Sequence, residues 1–164
     1  MPGTIIQVNV SRGGLPKRPV ARARIGGVGL EGDAQAHPEI HGGPRKAVLL
    51  IAAEVVDGLA AQGYPVFYGA LGENLTTRGL DLRGLKPGDR LRAGSATLEI
   101  TRVRKPCGQL DVYGSSLKAD LYDARVEAGD AGSPRWGWSG FYLSVIEEGA
   151  VAPGDIIAPV AGPA

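Results

Sequence analysis

The chain has 164 residues, with 18 Lys and Arg against 17 Asp and Glu and a formal net charge of +1. That length supplies one domain with a workable core and too little chain for two. The even balance excludes a general nucleic-acid binder, which needs a basic face, yet it leaves room for a local pocket that takes a small anion.

No stretch approaches the ~18 apolar residues of a membrane helix, and the first residues lack the apolar core of a signal peptide. One cysteine cannot close an intrachain disulfide. The expectation is a cytoplasmic protein with neither a nucleic-acid nor a membrane partner. The 26 Gly and 12 Pro, without any low-complexity tract, predict many tight turns between short strands. Few aromatic residues are present, so the core must come largely from Val, Ile, Leu and Ala.

In chain order, Ile6, Val8 and Val10 alternate with polar residues, as on a half-buried strand. Residues 11–17, with Gly13-Gly14 and Pro16, form a turn. A second strand is expected over residues 20–25, with Arg22 and Arg24 on one face and Ala21, Ala23 and Ile25 on the other. Residues 26–43 show no periodicity and hold both histidines, and a loop this long in a small domain points to function. Residues 47–51 are a continuous apolar run, expected as a strand buried on both faces. Ala52, Val55, Val56, Leu59 and Ala60 make the stripe of an amphipathic helix that stops at Gly63. Residues 69–79 are a second glycine-punctuated loop.

Leu85-Lys86-Pro87-Gly88-Asp89 turns into a strand at residues 90–92. Leu98 and Ile100 alternate along the next strand, which is expected to run straight into Lys105-Pro106-Cys107. Leu117, Leu121, Ala124 and Ala128 predict a second helix, capped by Ser115 or Ser116 and stopped by Gly129. Residues 141–146 and 155–157 are closing strands. About eight short strands and two or three short helices predict a mostly-β, barrel-like single domain over residues 1–164, because closure removes exposed strand edges.

The residue with the most chemistry is Cys107. A lone cysteine is most often a small buried hydrophobe. Here it follows Pro106, lies just after Arg102, Arg104 and Lys105, and has Gly108 beside it. Neighbouring cations favour the thiolate, which is both the nucleophile and the metal ligand. In the segment His37-Pro38-Glu39-Ile40-His41-Gly42-Gly43-Pro44-Arg45-Lys46, the proline and glycines argue against a metal-binding helix. His37, His41 and Cys107 could still supply the three protein ligands of a zinc hydrolase. Gly42 and Gly43 permit close backbone approach to a ligand, and Arg45 and Lys46 offer donors to phosphate. In Gly72-Glu73-Asn74-Leu75-Thr76, Asn74 and Thr76 could bond a polar heterocycle, or could simply serve a turn. Trp136 and Trp138 either wall a pocket or cover the barrel mouth.

The order of Gly32-Asp33, His41-Gly42-Gly43, Lys46-Ala47-Val48, Gly72-Glu73-Asn74-Leu75-Thr76, Gly88-Asp89, Pro106-Cys107 and Gly154-Asp155 resembles the MOSC family, the molybdenum cofactor sulfurase C-terminal domain. The resemblance runs from about residue 5 to about residue 158. It implies a β-rich barrel and an association with the molybdenum cofactor, a phosphate-bearing pterin dithiolene. By that resemblance Cys107 matches the family cysteine, a molybdenum ligand or a sulfur carrier. His41, Gly42, Gly43, Arg45, Lys46, Asn74, Thr76 and Arg104 are the expected cofactor-binding positions. The chain shows no aminotransferase-like domain, so pyridoxal phosphate is expected only through a separate partner protein. Three functions compete. The first is a molybdenum enzyme that reduces N-hydroxylated compounds with an electron-transfer partner. The second is a module whose Cys107 holds a persulfide from a sulfur donor, and the third is the zinc hydrolase.

Overall fold

The computed structural model describes residues 2–34 and 43–161. Among these, β1 (Gly3–Val10), β2 (Arg18–Val20), β3 (Ala23–Gly26) and β4 (Gly29–Leu30) come first. Then follow β5 (Val48–Ala52), α1 (Ala53–Ala61), β6 (Leu75–Arg78), β7 (Arg90–Ala93) and β8 (Ala96–Val103). The chain ends with α2 (Leu117–Leu121), α3 (Ala124–Glu127), β9 (Phe141–Glu147), β10 (Gly149–Val151) and β11 (Ile156–Val160).

The large sheet runs β11-β7-β8-β9-β5-β6-β1-β2, and β11 also pairs with β1. Seven strands therefore close into a barrel, and β2 is an extra strand on β1. A small sheet, β10-β3-β4, lies beside it. Among the described residues only β5 and β6 pair in parallel; a parallel pair needs a crossover, which α1 and the loop after it supply.

Strand alternation divides the apolar residues into two clusters. Val48, Leu50, Leu75, Leu98, Ile100, Phe141 and Leu143 belong to the cluster inside the barrel. Leu49, Ile51 and Tyr142, their neighbours on the same strands, face outward and pack with α1, α2 and Leu110. Both cores are aliphatic, as the composition requires.

Two β-bulges set which side chains reach the outer wall. In β1 the register against β6 shifts between Ile5 and Gln7. Ile5, Val8 and Val10 consequently belong to the inner cluster, where simple alternation predicted Ile6, Val8 and Val10. One unpaired residue has changed the phase of the strand. In β8 the register against β9 shifts between Ile100 and Arg102, so Arg102 opposes Tyr142 and Val103 opposes Phe141. Ile100 and Val103 pack inward, and Arg102 and Arg104 emerge on the outer wall with Tyr142. Without the bulge they would share Ile100's face and point into the barrel.

Other sequence expectations need correction. The single strand at 20–25 is two strands in different sheets, β2 on β1 and β3 on β10 and β4, joined by exposed Ala21 and Arg22. The loop at 26–43 contains β4, and the loop at 69–79 contains β6, whose Leu75, Thr76 and Thr77 are wholly buried. The second helix is two short ones. Tyr122 is extended between them, and the Asp123 carboxylate accepts the Val126 N–H at 2.8 Å. A side chain that caps so well starts a new helix rather than continuing the old one. Ser116 makes no cap; its hydroxyl lies 2.7 Å from that of Tyr64.

Candidate thiol and anion site

β8 ends at Val103, and Cys107 stands four residues on, heading a 3₁₀ turn over Gly108–Tyr113. The expected strand end is thus a short extended link instead. It is well fixed: the Arg104 N–H donates to the Gly140 carbonyl at 2.8 Å, and the Ser139 hydroxyl donates to the Arg104 carbonyl at 2.6 Å. Cys107 is half-buried and unoxidised, so it is packed on one side and reachable on the other.

Of the three cations read beside it, each has a different fate. Lys105 is exposed and spends its charge on Glu127, 2.6 Å away. Arg102 is exposed on the outer wall opposite Tyr142. Arg104 is 5% exposed, yet its Nη1 has no hydrogen-bond partner. Burying a guanidinium nitrogen unpaired is costly unless a bound group completes it. Tyr142 joins these groups together. Burial pushes its hydroxyl above the ordinary value, opposed by the charge of Arg104 and assisted by Cys107. Lys46 holds its ammonium 5.4 Å from the centre of the same ring, a cation–π distance. Tyr142 was not picked out from sequence, where it reads as one more residue of a closing strand.

The other wall is the loop before β6. Gly72 lies against Arg104: a Cβ there would stand 4.0 Å from Nη2. Behind it, Glu73 is fully buried, and its Oε2 accepts the Gly69 N–H at 3.0 Å and the Thr76 hydroxyl at 3.1 Å. Its Oε1 has no partner. Burial raises the carboxyl above its ordinary value, more than the bonds from Gly69, Glu73's own backbone and Thr76 and the charge of Arg104 lower it.

Asn74 and Thr76 are buried and fully used within the protein. The Asn74 amide donates to the Asn9 carbonyl and to Asp33 Oδ2, and its oxygen accepts the Leu49 N–H. The Asn9 amide donates to Thr76 Oγ1 and the Glu73 carbonyl. Asp33 also pairs with buried Lys17 at 2.6 Å. These residues brace the loop that carries Gly72.

Gly43 and Arg45 are exposed and Lys46 is half-buried. The Arg45 carbonyl accepts from the hydroxyl of Thr101, the bulge residue of β8, at 2.5 Å, which pins this segment to the same wall. His41 and Gly42, like His37, lie outside the described residues. Among the described residues no three His, Cys, Asp or Glu gather as a metal site, and no helix is long and apolar enough to cross a membrane.

Trp136 is buried, its indole N–H donating to the Leu85 carbonyl at 2.8 Å. With Trp138, α1 and residues 80–83 it lines a separate pocket of about 330 Å³. Cys107, Arg104, Lys46 and Tyr142 are absent from its lining.

A closed seven-stranded barrel with a thiol and a buried guanidinium on its outer wall defines the class of protein. The model of the MOSC domain matches residues 37–158, and the chain belongs to the MOSC domain family. It is 34% identical to uncharacterized protein YflK of Bacillus subtilis over 143 residues, and 30% identical to protein YiiM of Escherichia coli over 139. The alignments cover 86% and 80% of this chain. They span 60% of YflK and 54% of YiiM. Among solved structures, YiiM from Geobacillus stearothermophilus superposes with a TM-score of 0.70 at 27% identity, covering 97% of this chain and 75% of that one. YuaD from Bacillus subtilis shares the fold at a TM-score of 0.68 and 22% identity, covering 96% of this chain and 94% of that one.

Proposed function

We propose that this chain binds the molybdenum cofactor with Cys107 as the molybdenum ligand and reduces N-hydroxylated compounds. The observation that carries this reading is a half-buried thiol and a buried Arg104 with an unpartnered nitrogen, both near enough to the Tyr142 hydroxyl to act on it. The donor set fits the group. A soft thiolate suits molybdenum, and a cation with a free donor suits a phosphate ester. Gly72 sets no side chain against Arg104.

When bound, the cofactor would supply two-electron removal of an oxygen atom from nitrogen, the oxygen leaving as water with two protons and electrons from a separate electron-transfer protein. The chain's own residues do the holding. Cys107 is presented by a link fixed at Arg104, so its sulfur is oriented before any metal arrives. Arg104, with Arg45 and Lys46 from the segment pinned by Thr101, would hold the phosphate. His41 and Gly42 belong to the same binding segment in this reading. Asn74 and Thr76 act at one remove, by fixing the loop that carries Gly72 beside Arg104.

The test is turnover of an N-hydroxylated base by protein purified from a host that makes the cofactor, supplied with a reductant. Native protein should be active, and Cys107→Ser should retain its fold and lose activity. If loaded native protein is inactive while a persulfide forms on Cys107 and passes to an acceptor, the thiol is a sulfur carrier and the enzyme reading falls.

A further inference from the structure

The buried acid of the Gly72-Glu73-Asn74 loop has no part in the reading above. Glu73 is 0% exposed. The bonds it accepts from Gly69 and Thr76 both fall on Oε2, and Oε1 has no partner. The cation whose charge reaches the carboxyl is Arg104, and its own Nη1 is also unbonded. Tyr113 is the other titratable group that feels Glu73; its hydroxyl is committed to the Ala70 carbonyl at 2.6 Å. An ionised carboxylate sealed from solvent, with one oxygen unbonded by the protein and no cation in contact, is expensive in a protein interior. A neutral carboxyl group satisfies the same two bonds without that cost.

Resting on the proposed anion site, we infer that Glu73 is its positioning residue: as a neutral acid it leaves the Arg104 charge for the ligand, and as a carboxylate it takes that charge away. Glu73 is too deeply buried to touch a ligand, so it acts only through Arg104. Anion binding and Glu73 protonation are therefore linked, each favouring the other.

Sulfate tests this, because its charge does not change across the relevant pH range. Calorimetric titration at constant ionic strength should show native affinity falling as pH rises, by about tenfold for a coupling of ~1.4 kcal/mol. Glu73→Gln keeps the bonds to Gly69 and Thr76 through its amide oxygen and should hold its affinity across the same range. Both proteins carry His37 and His41, so the difference between the two profiles isolates Glu73. Arg104→Gln is the control for the site itself. If it binds sulfate as native does, the anion site fails; if it loses binding while native and Glu73→Gln share one pH profile, the positioning role alone fails. A measurement on the unaltered protein makes the same test should Glu73→Gln not fold. Saturating sulfate should raise the midpoint of the Glu73 carboxyl carbon resonance in an NMR pH titration, and an unmoved midpoint overturns the inference.

Discussion

Burial of Glu73 ties its titration to folding. Its carboxyl group is raised in the fold above an ordinary value of 4.5, chiefly by desolvation. Between the ordinary and the raised value the folded chain keeps a proton that the unfolded chain gives up. Stability from this group is therefore full below the ordinary value and is lost as pH rises through the raised one. Denaturant midpoints of native protein should accordingly fall, relative to those of Glu73→Gln, as pH rises from 4.5 towards neutrality. Parallel profiles for the two proteins would show that the acid is solvated or paired after all. Sequence reading passed Glu73 over because a glutamate between glycine and asparagine looks like part of a solvated turn. The available signal was its place between Leu71 and Leu75, both wholly buried. Cys107 and Arg104 were legible for the opposite reason, being rare or charged residues packed into a few positions after a regular strand. Lys105 was equally conspicuous, and its ion pair with Glu127 could not be foreseen from residues 22 positions apart.

At the level of elements, the strand pattern was readable and its phase was not. The continuous apolar run located β5 and a closing strand was expected where β9 lies, and alternation located β8 but not its end at Val103; each bulge reverses inside and outside beyond it. Ile5 replaces Ile6 in the core because of one bulge, and Arg104 reaches the outer wall because of the other. Local sequence carries little trace of a bulge, since it is fixed by the partner strand. Removing Thr101, which lies at the shift in β8, should close the bulge and leave Arg102 and Arg104 on the outer wall, because Ile100 and Arg102 then become neighbours on opposite faces. It also deletes the hydroxyl that bonds the Arg45 and Tyr142 carbonyls. Such a deletion should cost about 1–3 kcal/mol in denaturant unfolding for the hydroxyl bonds lost, and should weaken sulfate binding by releasing the segment that carries Arg45 and Lys46. Native stability and native sulfate affinity in the deletion protein would show that Thr101 does not hold the Arg45 segment against the site.

For the whole molecule, the barrel provides a stiff wall and the chemistry sits outside it. Inner and outer clusters are separated by one layer of strands, so Tyr142, Arg104 and the Gly72 loop rest on a surface that has its own core behind it. The mostly-β barrel was legible from glycine, proline and short apolar runs. Its parallel β5–β6 pair and the small β10-β3-β4 sheet were not, because both depend on contacts between distant segments. Cofactor content tests the central claim most directly. Native protein and Cys107→Ser should be purified from a host that makes the cofactor and assayed together for molybdenum and pterin. The account predicts molybdenum and pterin in equal amounts on native protein, with molybdenum lost from a folded Cys107→Ser. Native protein that folds normally in such a host and carries neither would contradict it.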